Sequence, residues 1–374
     1  LFRRIKQFGG HSRQGGGVSG IEIALWDIAG KAWGVPLYQM LGGKYRGKVR
    51  MYCDTDVDGK HTGTDMGKAL QKRIEKGFTF LKMDLGIELM LDEPGCLNAP
   101  IGFLEDIKKY SMKAINHQKG SIDMDMMLGK NYETFTIPHH ATGIHLTQKG
   151  MDYLENYVKE VRDVIGYEVP LAIDHFGHIN IEDCIMFARR LEKYNIAWIE
   201  DIAPWHYTNH YVKIANSCCV PICTGEDIFL AENFEPLMSS GGVSVVHPDL
   251  LTIGGALEMK KLANMCDKYG VAMAIHMAES PVACMAAIHC AAAIQNILAV
   301  EYHSSDIPWW NDLANGIDNP LIKDGFIKVS DKPGLGIESL NEELISKHIH
   351  DKYPGQWEPT DEWNKEWAND REWS

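Results

Sequence analysis

Six ionisable residues recur at nearly constant spacing from residue 174 onward. Successive intervals are 26, 26, 23, 27 and 25 residues, and the residues are Asp174, Glu200, Glu226, Asp249, His276 and Glu301. Each follows a short apolar run of the kind that forms a buried strand. The carboxyl ends of the strands in a repeating βα chain lie on one face, so these six side chains are predicted to converge at one mouth.

The first three residues of this series are carboxylates on consecutive predicted strands. Asp174, Glu200 and Glu226 would repel one another at close range, and each would raise the pKa of the others. A hard divalent cation removes that penalty, and oxygen ligands without Cys or His favour Mg²⁺ or Mn²⁺ over Zn²⁺. Strand-end carboxylates paired with basic side chains are the alternative, but the matched spacing favours a metal site.

His276 and Asp249 are predicted at the next two strand ends. A carboxylate beside an imidazole fixes its tautomer and makes it a stronger base, whereas a satisfied core histidine is the alternative. Glu301 would either hydrogen-bond a developing oxyanion while protonated or pair with Lys82. A metal ion facing such a base indicates removal of the proton α to a carboxylate, with the enediolate stabilised by the metal.

Eight apolar runs are the strand candidates that would carry these residues. They are Val49–Asp54, Phe78–Asp84, Val169–Asp174, Ile196–Glu200, Pro221–Glu226, Val243–Asp249, Val271–His276 and Ile297–Glu301. Helical segments alternate with them, and eight βα units are the count of a closed α/β barrel of the TIM type. We therefore predict a (β/α) barrel over residues 49–335.

One long interval interrupts the barrel repeat. Asp84 and Asp174 are 90 residues apart, and the excess lies at about 86–148. A helix is predicted at 102–116. An insertion after the carboxyl end of a strand lies on the side of the mouth, so we expect a lid or wall of the pocket. A peripheral or oligomer-contact loop is the alternative.

The two ends of the chain also fall outside the repeat. Residues 1–48 contain a predicted helix, Val18–Trp33, after a glycine-rich loop at 9–17. The helix has one apolar stripe, formed by Ile21, Leu25, Ile28 and Ala32. Residues 336–374 form a C-terminal segment, charged and Trp-rich from Asp351, which is expected to pack on the N-terminal region or the surface.

Composition limits the class of protein. The 374 residues are 45% hydrophobic and 24% charged, and the net charge is −14 without any basic run. This charge argues against a nucleic-acid partner or an anionic membrane surface. No apolar run reaches the about 18 residues of a membrane span, and no signal-peptide pattern occurs, although the chain opens on Leu1. Nine scattered cysteines indicate reduced thiols, so a cytoplasmic location is expected.

Seven stretches spread over most of the chain share a pattern with a known family. They are Ile21–Gly43, Leu171–Asp174, Trp198–Asp201, Thr224–Asp227, His247–Gly255, Ala274–His276 and Pro333–Glu338. In these stretches the chain resembles the enolase superfamily, and within it the mandelate racemase/muconate lactonizing enzyme group. The resemblance implies an enolase-like barrel, Mg²⁺ on the three carboxylates, a His276–Asp249 acid/base dyad and Glu301 as a hydrogen-bonding group. It also implies a small carboxylate substrate and a homo-oligomer.

Two features depart from that family's pattern. Members usually begin with an α+β capping domain whose loops close over the substrate, and here only its helical end is found, within residues 1–48, as a truncated capping domain. Many members also carry Lys-x-Lys at the end of the second strand, the later Lys being a second base. This chain has Lys82-Met83-Asp84. A base on one face only favours elimination over 1,1-proton transfer.

These features predict an acid-sugar dehydratase that forms a 2-keto-3-deoxy acid. A racemase or epimerase of a 2-hydroxy acid is the alternative. A non-catalytic barrel used for sensing or assembly would not need six convergent ionisable groups. A zinc hydrolase barrel would need His-x-His in the first strand, where the chain has Cys53-Asp54-Thr55-Asp56.

The sequence leaves open which acid protonates the leaving β-hydroxyl. The candidates are His175, His178, His206, His139, His140 and His145. His175 follows the first predicted metal ligand and is placed with the catalytic group, whereas His178 and His206 are predicted substrate contacts. Some sugar-acid dehydratases carry a His just after that ligand, although the offset differs. Lys82 is expected to bind the substrate carboxylate or tune Asp84, which is itself a predicted substrate contact.

Overall fold

A closed parallel barrel forms the centre of the molecule. The computed structural model describes residues 16–57, 59–99, 143–174, 179–349 and 355. Strands β1 to β8 cover Lys48–Thr55, Leu81–Asp84, Leu171–Asp174, Ile196–Glu200, Ile222–Thr224, Val245–Val246, Ala272–Ile275 and Ile297–Tyr302. Each strand pairs with the next in chain order, and β8 pairs with β1, where Tyr52 lies opposite Glu301. The predicted eight-stranded α/β barrel is confirmed.

Five of the eight predicted strand ends are wrong: β1 and β8 end one residue later than predicted, and β5, β6 and β7 end one to three residues earlier. Strands β5, β6 and β7 stop before Glu226, Asp249 and His276, which lie in the connections that follow. Asp249 leaves the strand because its side chain caps the short helix Leu250–Ile253, accepting hydrogen bonds from two backbone N–H groups at 2.6 and 2.9 Å. An isolated parallel bridge still joins Asp249 to His276, so the two side chains remain neighbours.

Helices alternate with the strands and cover the outside of the barrel. Among the described residues, the helices of eight or more residues, α1 to α7, are Gly16–Trp33, Gly63–Glu75, Gln148–Ile165, Ile181–Leu191, Thr208–Ala215, Ala256–Tyr269 and Pro281–Ala292. Capping side chains determine where three of them begin. Thr62, Thr147 and Asn180 accept hydrogen bonds from backbone N–H groups at the start of α2, α3 and α4.

A small apolar core fills the interior of the barrel beneath the strand ends. Its members are Tyr52, Phe80, Ala172, Trp198, Cys223, Val245, Ala274 and Ala299. The rings of Phe80 and Trp198 meet edge to face with centroids 4.8 Å apart. The barrel axis is therefore a packed core rather than a pore, and this core forms the floor of the mouth.

Helix α1 has the predicted apolar stripe, but the stripe faces away from the barrel. Ile21, Leu25 and Ile28 expose 53%, 56% and 62% of their surface. A polar contact on the opposite side attaches the helix. Glu22 accepts hydrogen bonds at 2.9 and 3.1 Å from the backbone N–H groups of the first two residues of α6. A carboxylate complements the positive end of the α6 dipole at that position.

Residues 326–335, just before the predicted C-terminal segment, return to α1 and to the first strand. Strand β9, Phe326–Lys328, pairs antiparallel with the start of β1. Gly334 then approaches Gly30 of α1 so closely that a Cβ at Gly30 would lie 2.7 Å from the Gly334 Cα. Asp27 accepts a hydrogen bond from the Leu335 backbone N–H at 2.8 Å. These contacts join the N-terminal helix to a segment about 300 residues later in the chain.

The predicted insertion is described only at its two ends. A 3₁₀ turn, Ile87–Met90, follows β2, and the two-residue strands Leu97–Asn98 and His145–Leu146 pair antiparallel. The predicted helix at 102–116, most of the loop at 9–17 and the Trp-rich tail lie outside the described residues. The lid therefore stays a prediction. Within the described ranges, no helix combines the length and apolar character that crossing a bilayer requires.

Candidate active site

Three carboxylates meet at the mouth of the barrel, as the sequence predicts. Asp174 ends β3, Glu200 ends β4 and Glu226 follows β5 by two residues. One oxygen of each lies within 4.8 Å of the others. Asp174 and Glu200 are 2% and 0% exposed, so water shields their charges poorly. Burial raises the pKa of Glu226; the charge of His276 opposes this and that of Asp174 adds to it.

This cluster is suited to a hard divalent cation. Its donors are oxygen atoms on neighbouring strand ends, the ligand type that Mg²⁺ and Mn²⁺ prefer. Crowding of negative charge extends to Asp201, whose pKa is raised well above its ordinary value by burial and by the charges of Glu226 and Asp174. Among the described residues, other sets of side chains also bring possible metal-ligand atoms this close together. Each of those sets contains an imidazole, and one also contains a thiol. The all-carboxylate set therefore fits Mg²⁺ best.

Lys82, on β2, is a buried cation that contacts two of these carboxylates and Glu301. Its Nζ lies 2.5 Å from Asp174 Oδ2, 2.7 Å from Glu301 Oε1 and 3.5 Å from Glu200 Oε2. Burial alone would lower the pKa of Lys82, but the three carboxylates raise it well above its ordinary value. The side chain therefore carries a positive charge and offsets part of the negative charge at the floor of the mouth.

Glu301, on β8, is surrounded by basic groups. Its Oε1 contacts Lys82, and its Oε2 lies 3.3 Å from His247 Nε2 and 3.9 Å from His276 Nε2. Burial alone would raise the pKa of Glu301, but Lys82 and His247 lower it well below its ordinary value. The carboxyl group is therefore ionised and paired with Lys82, which is the second of the two states that the sequence left open.

His276 and Asp249 form the predicted dyad. The His276 Nδ1 lies 2.7 Å from Asp249 Oδ2, and its Nε2 lies 3.3 Å from Glu226 Oε2. Because the other Asp249 oxygen caps the short helix, the carboxylate is fixed and in turn fixes the ring. Burial would lower the pKa of His276, but the hydrogen bond to Asp249 and the charges of Glu301 and Glu226 raise it well above its ordinary value. The ring therefore presents Nε2 to the carboxylate cluster.

A second layer of donors under the cluster was missed by sequence reasoning. His247 is fully buried; its Nδ1 contacts Glu200, and its Nε2 contacts the Tyr52 hydroxyl as well as Glu301. Trp198 Nε1 donates a hydrogen bond to Glu200 Oε2 at 2.8 Å. Burial lowers the pKa of His247, but Glu200 and Glu301 raise it to about 9 overall. This layer fixes the orientation of the carboxylates from below.

His303 and Asp54 were also missed, although a signal was present. His303 follows Glu301 by two residues, and Asp54 lies in β1 next to β8. Side chains two apart on an extended chain point to the same side, so Glu301 predicts a mouth position for His303. The His303 Nδ1 lies 3.3 Å from Asp54 Oδ2, and its Nε2 lies 3.3 Å from Glu301 Oε1.

The other predicted site residues are divided between the mouth, the surface and the undescribed residues. Asp84 lies opposite Asp174 in the β2–β3 pairing, which places it at the mouth. His206 is exposed, and its ring contacts Trp205 and Tyr207. Its role as a substrate contact therefore stays a prediction.

The histidines predicted as acids are described only in part. His145 lies 3.1 Å from Asp183, at the start of α4. His139, His140, His175 and His178 lie outside the described residues. The choice between them stays as the sequence left it.

Comparison with protein families gives two matches. Residues 65–344 match the model described as enolase C-terminal domain-like, and residues 10–42 match the N-terminal domain of mandelate racemase and muconate lactonizing enzyme. A D-xylonate dehydratase of Haloferax volcanii is 30% identical over 335 residues, covering 89% of this chain and 69% of that protein. A D-galactonate dehydratase of Pectobacterium atrosepticum is 27% identical over 359 residues, covering 94% and 78%.

Solved structures agree with these matches. A mandelate racemase/muconate lactonizing enzyme-like protein of Rubrobacter xylanophilus superposes with a TM-score of 0.72 and 28% identity, covering 90% of this chain and 78% of that one. A member of the enolase superfamily from Salmonella Typhimurium gives 0.69 and 26%, covering 91% and 77%. The similarity therefore includes the barrel.

Proposed function

The chain belongs to the mandelate racemase/muconate lactonizing enzyme group of the enolase superfamily, and on that premise we propose that it dehydrates a sugar acid. The reaction removes the proton α to the carboxylate and expels the β-hydroxyl as water, giving a 2-keto-3-deoxy acid. One observation carries the proposal: His276 Nε2, oriented by Asp249, lies 3.3 Å from Glu226 in a cluster of three carboxylates, of which Asp174 and Glu200 are buried. The proposed base and the proposed cation site therefore lie next to each other at the mouth of the barrel.

Asp174, Glu200 and Glu226 are the residues that would hold the metal, which we take to be Mg²⁺, with Mn²⁺ as a substitute. When bound, such an ion supplies positive charge that binds the substrate carboxylate and offsets the charge of the enediolate. Lys82 adds a second, permanent positive charge at the floor of the mouth. Both charges act where negative charge increases during proton removal.

His276 is the base in this mechanism. Its Nδ1 is committed to Asp249, so the neutral ring takes the α-proton at Nε2. A cation held by Glu226 would favour the neutral ring, because it would offset one of the charges that raise the pKa of His276. Glu301 lies 3.9 Å from Nε2 and stabilises the imidazolium that results. Asp84 lies on the β2 side of the mouth, at the end of its strand, where it accepts a hydrogen bond from a substrate hydroxyl.

The state of Lys82, on the β2 side of the mouth, favours elimination over racemisation. Racemisation needs a base on each face of the α-carbon. On the β2 side, Lys82 is buried and held by carboxylates 2.5 and 2.7 Å away, which keep its proton in place. Both curated relatives described above are named as sugar-acid dehydratases, which supports the same choice. A racemase or epimerase would instead exchange the α-proton without losing water.

Incubation of the protein with Mg²⁺ and a panel of aldonic acids tests the proposal. We expect a 2-keto-3-deoxy acid from at least one of them, detected as the semicarbazone, and no product from His276→Asn. Proton NMR in deuterated water should be run in parallel. Exchange of the α-proton without elimination across the panel would contradict dehydration and identify a racemase or epimerase.

A further inference from the structure

A second imidazole–carboxylate pair lies at the mouth beside the proposed dyad. His303 is the first residue after β8, and its side chain is 30% exposed, whereas the Asp54 side chain behind it is 7% exposed. Nδ1 of His303 lies 3.3 Å from Asp54, so Asp54 orients the ring. The imidazole is therefore partly accessible from the mouth, with its Nε2 buried beside Glu301.

This pair repeats the arrangement of His276 and Asp249 on the next strand. In both pairs Nδ1 contacts an aspartate and Nε2 approaches an oxygen of Glu301, at 3.9 Å for His276 and 3.3 Å for His303. The two rings lie with centroids 5.8 Å apart at an angle of 62°. Two imidazoles therefore converge on one carboxylate from the ends of neighbouring strands.

The turn that carries His303 is anchored from outside the barrel. Arg73 of α2 forms a forked ion pair with Asp306, and one of its guanidinium nitrogens donates a hydrogen bond to Ser305 Oγ at 3.0 Å. The Tyr302 hydroxyl donates to the backbone carbonyl of Ser304 at 3.2 Å. His303 is thus fixed on a rigid turn, as a group that must meet a reacting atom requires.

Surrounding charges favour the protonated ring. The groups that face His303 are Asp54, Glu301, Lys82 and His276. Burial lowers the pKa of His303, but the interaction with Glu301 and the charges of Glu301 and Asp54 raise it overall. Burial raises the pKa of Asp54 to about 6, with Lys82 and His303 opposing that rise.

We propose that His303 is the acid that protonates the departing β-hydroxyl, an assignment that rests on the proposed dehydration. The α- and β-carbons are only about 1.5 Å apart. The acid must therefore reach a group next to the one that His276 serves. Among the described residues, His303 is the imidazole at the mouth that meets this requirement, because its Nε2 converges with that of His276 on Glu301.

His276 Nε2 takes the α-proton, and the electron pair of that C–H bond passes into the enediolate. From there the pair forms the double bond between the α- and β-carbons as the leaving group departs. The β-carbon–oxygen bond breaks with its pair on oxygen, which takes the proton of His303 and leaves as water. The enol tautomerises to the keto acid. His276 then returns a proton to solvent, and His303 takes one up.

His303→Asn tests the assignment because acid catalysis of departure is separable from proton removal. We expect kcat for dehydration to fall by at least about 100-fold. Exchange of the α-proton with deuterated water should persist, since it needs only His276. An aldonic acid with fluorine in place of the β-hydroxyl should release fluoride at a rate close to wild type, because fluoride leaves without a proton. His348→Asn, whose ring stacks on Trp309, is the matched control.

Each other outcome has a definite meaning. Undiminished dehydration by His303→Asn, or equal loss of exchange and of fluoride release, would overturn the assignment; the second result would make His303 a positioning residue for Glu301. If His175→Asn, rather than His303→Asn, lost dehydration but kept exchange of the α-proton, His175 would be the acid. Wild-type protein that neither exchanges nor eliminates would overturn the proposed function itself. His303→Gln, checked by circular dichroism, serves if the Asn variant does not fold.

Discussion

At the scale of single residues, Asp249 has two roles that substitution separates. One of its oxygens caps the helix Leu250–Ile253, and the other holds His276. Asp249→Asn keeps a good capping group but loses the charge that orients the base. We expect kcat to fall at least about 100-fold with little change in the free energy of unfolding.

Asp249→Ala is the matched variant for that comparison. It should lose the same activity and, in addition, about 1 kcal/mol of stability, because the helix loses its cap. Steady-state kinetics and urea unfolding of both variants measure the two effects. Equal stability of the Asn and Ala variants would contradict the capping role.

The sequence revealed the site residues that occupy strand ends and missed those that depend on partners from distant strands. Asp174 and Glu200 follow apolar runs at matched spacing, so both were predictable. His247 contacts Glu200 and Glu301, which lie 47 and 54 residues away in the chain, and no local pattern identifies such a contact. His303 was predictable from its place two residues after Glu301, because extended chain alternates its side chains.

At the scale of elements, the spacing of α1 identified a helix and its apolar stripe but not the direction that the stripe faces. That direction depends on Glu22, which contacts α6, and on Gly30, which lies against Gly334. A hydrophobic period alone does not distinguish a face that packs on the barrel from one that packs elsewhere. The barrel itself was predictable, because eight βα units leave few other closed topologies.

Two glycines of α1 offer a paired test of that packing. Gly20→Ala places its Cβ in open space, so we expect unchanged or slightly greater stability, by up to about 1 kcal/mol. Gly30→Ala places its Cβ 2.7 Å from the Gly334 backbone and should destabilise the protein by about 1–3 kcal/mol. Thermal unfolding of both variants measures the difference. A stabilised Gly30→Ala protein would contradict the close approach.

The contact between α7 and the short helix Leu37–Met40 predicts a pH dependence. His289 of α7 is buried; its Nδ1 accepts a hydrogen bond from the Tyr38 N–H at 3.4 Å, and burial lowers its pKa to about 4. Between pH 6.5 and 4 the unfolded chain binds a proton that the folded protein does not. Stability should therefore decrease as pH falls through that window, with about 2 kcal/mol lost between pH 7 and pH 5.

His289→Gln removes that titration, so its stability should change less between these two pH values. Urea unfolding of both proteins at pH 7 and pH 5 measures the difference, and the other titrating groups cancel in the comparison. Equal pH dependence in the two proteins would show that His289 is not held neutral.

At the scale of the whole molecule, the carboxylate cluster couples folding to metal binding. Three carboxylates from β3, β4 and the β5–β6 connection meet only in the folded barrel, so a divalent ion binds the native state alone. Mg²⁺ at 100 times its Kd should raise the free energy of unfolding by about 2.7 kcal/mol, and EDTA should reverse the gain.

Glu226→Gln should lose most of that stabilisation, whereas the exposed Glu168→Gln should keep it. Calorimetric Tm values with and without Mg²⁺ measure the shift for each variant. An equal shift in Glu226→Gln and in wild type would exclude Glu226 as a ligand.

The indole of Trp198 gives the molecule a built-in optical reporter. Its N–H donates to Glu200 at 2.8 Å, and its ring lies against Phe80 at the floor of the mouth. Any cation that draws electron density from that carboxylate also changes the electric field along the indole, and with it the fluorescence emission. Cation titrations can therefore be followed by intrinsic fluorescence without a label. Trp198→Phe is the reference variant, because it keeps the emission of the other nine of the 10 tryptophans in the chain and lacks that of Trp198.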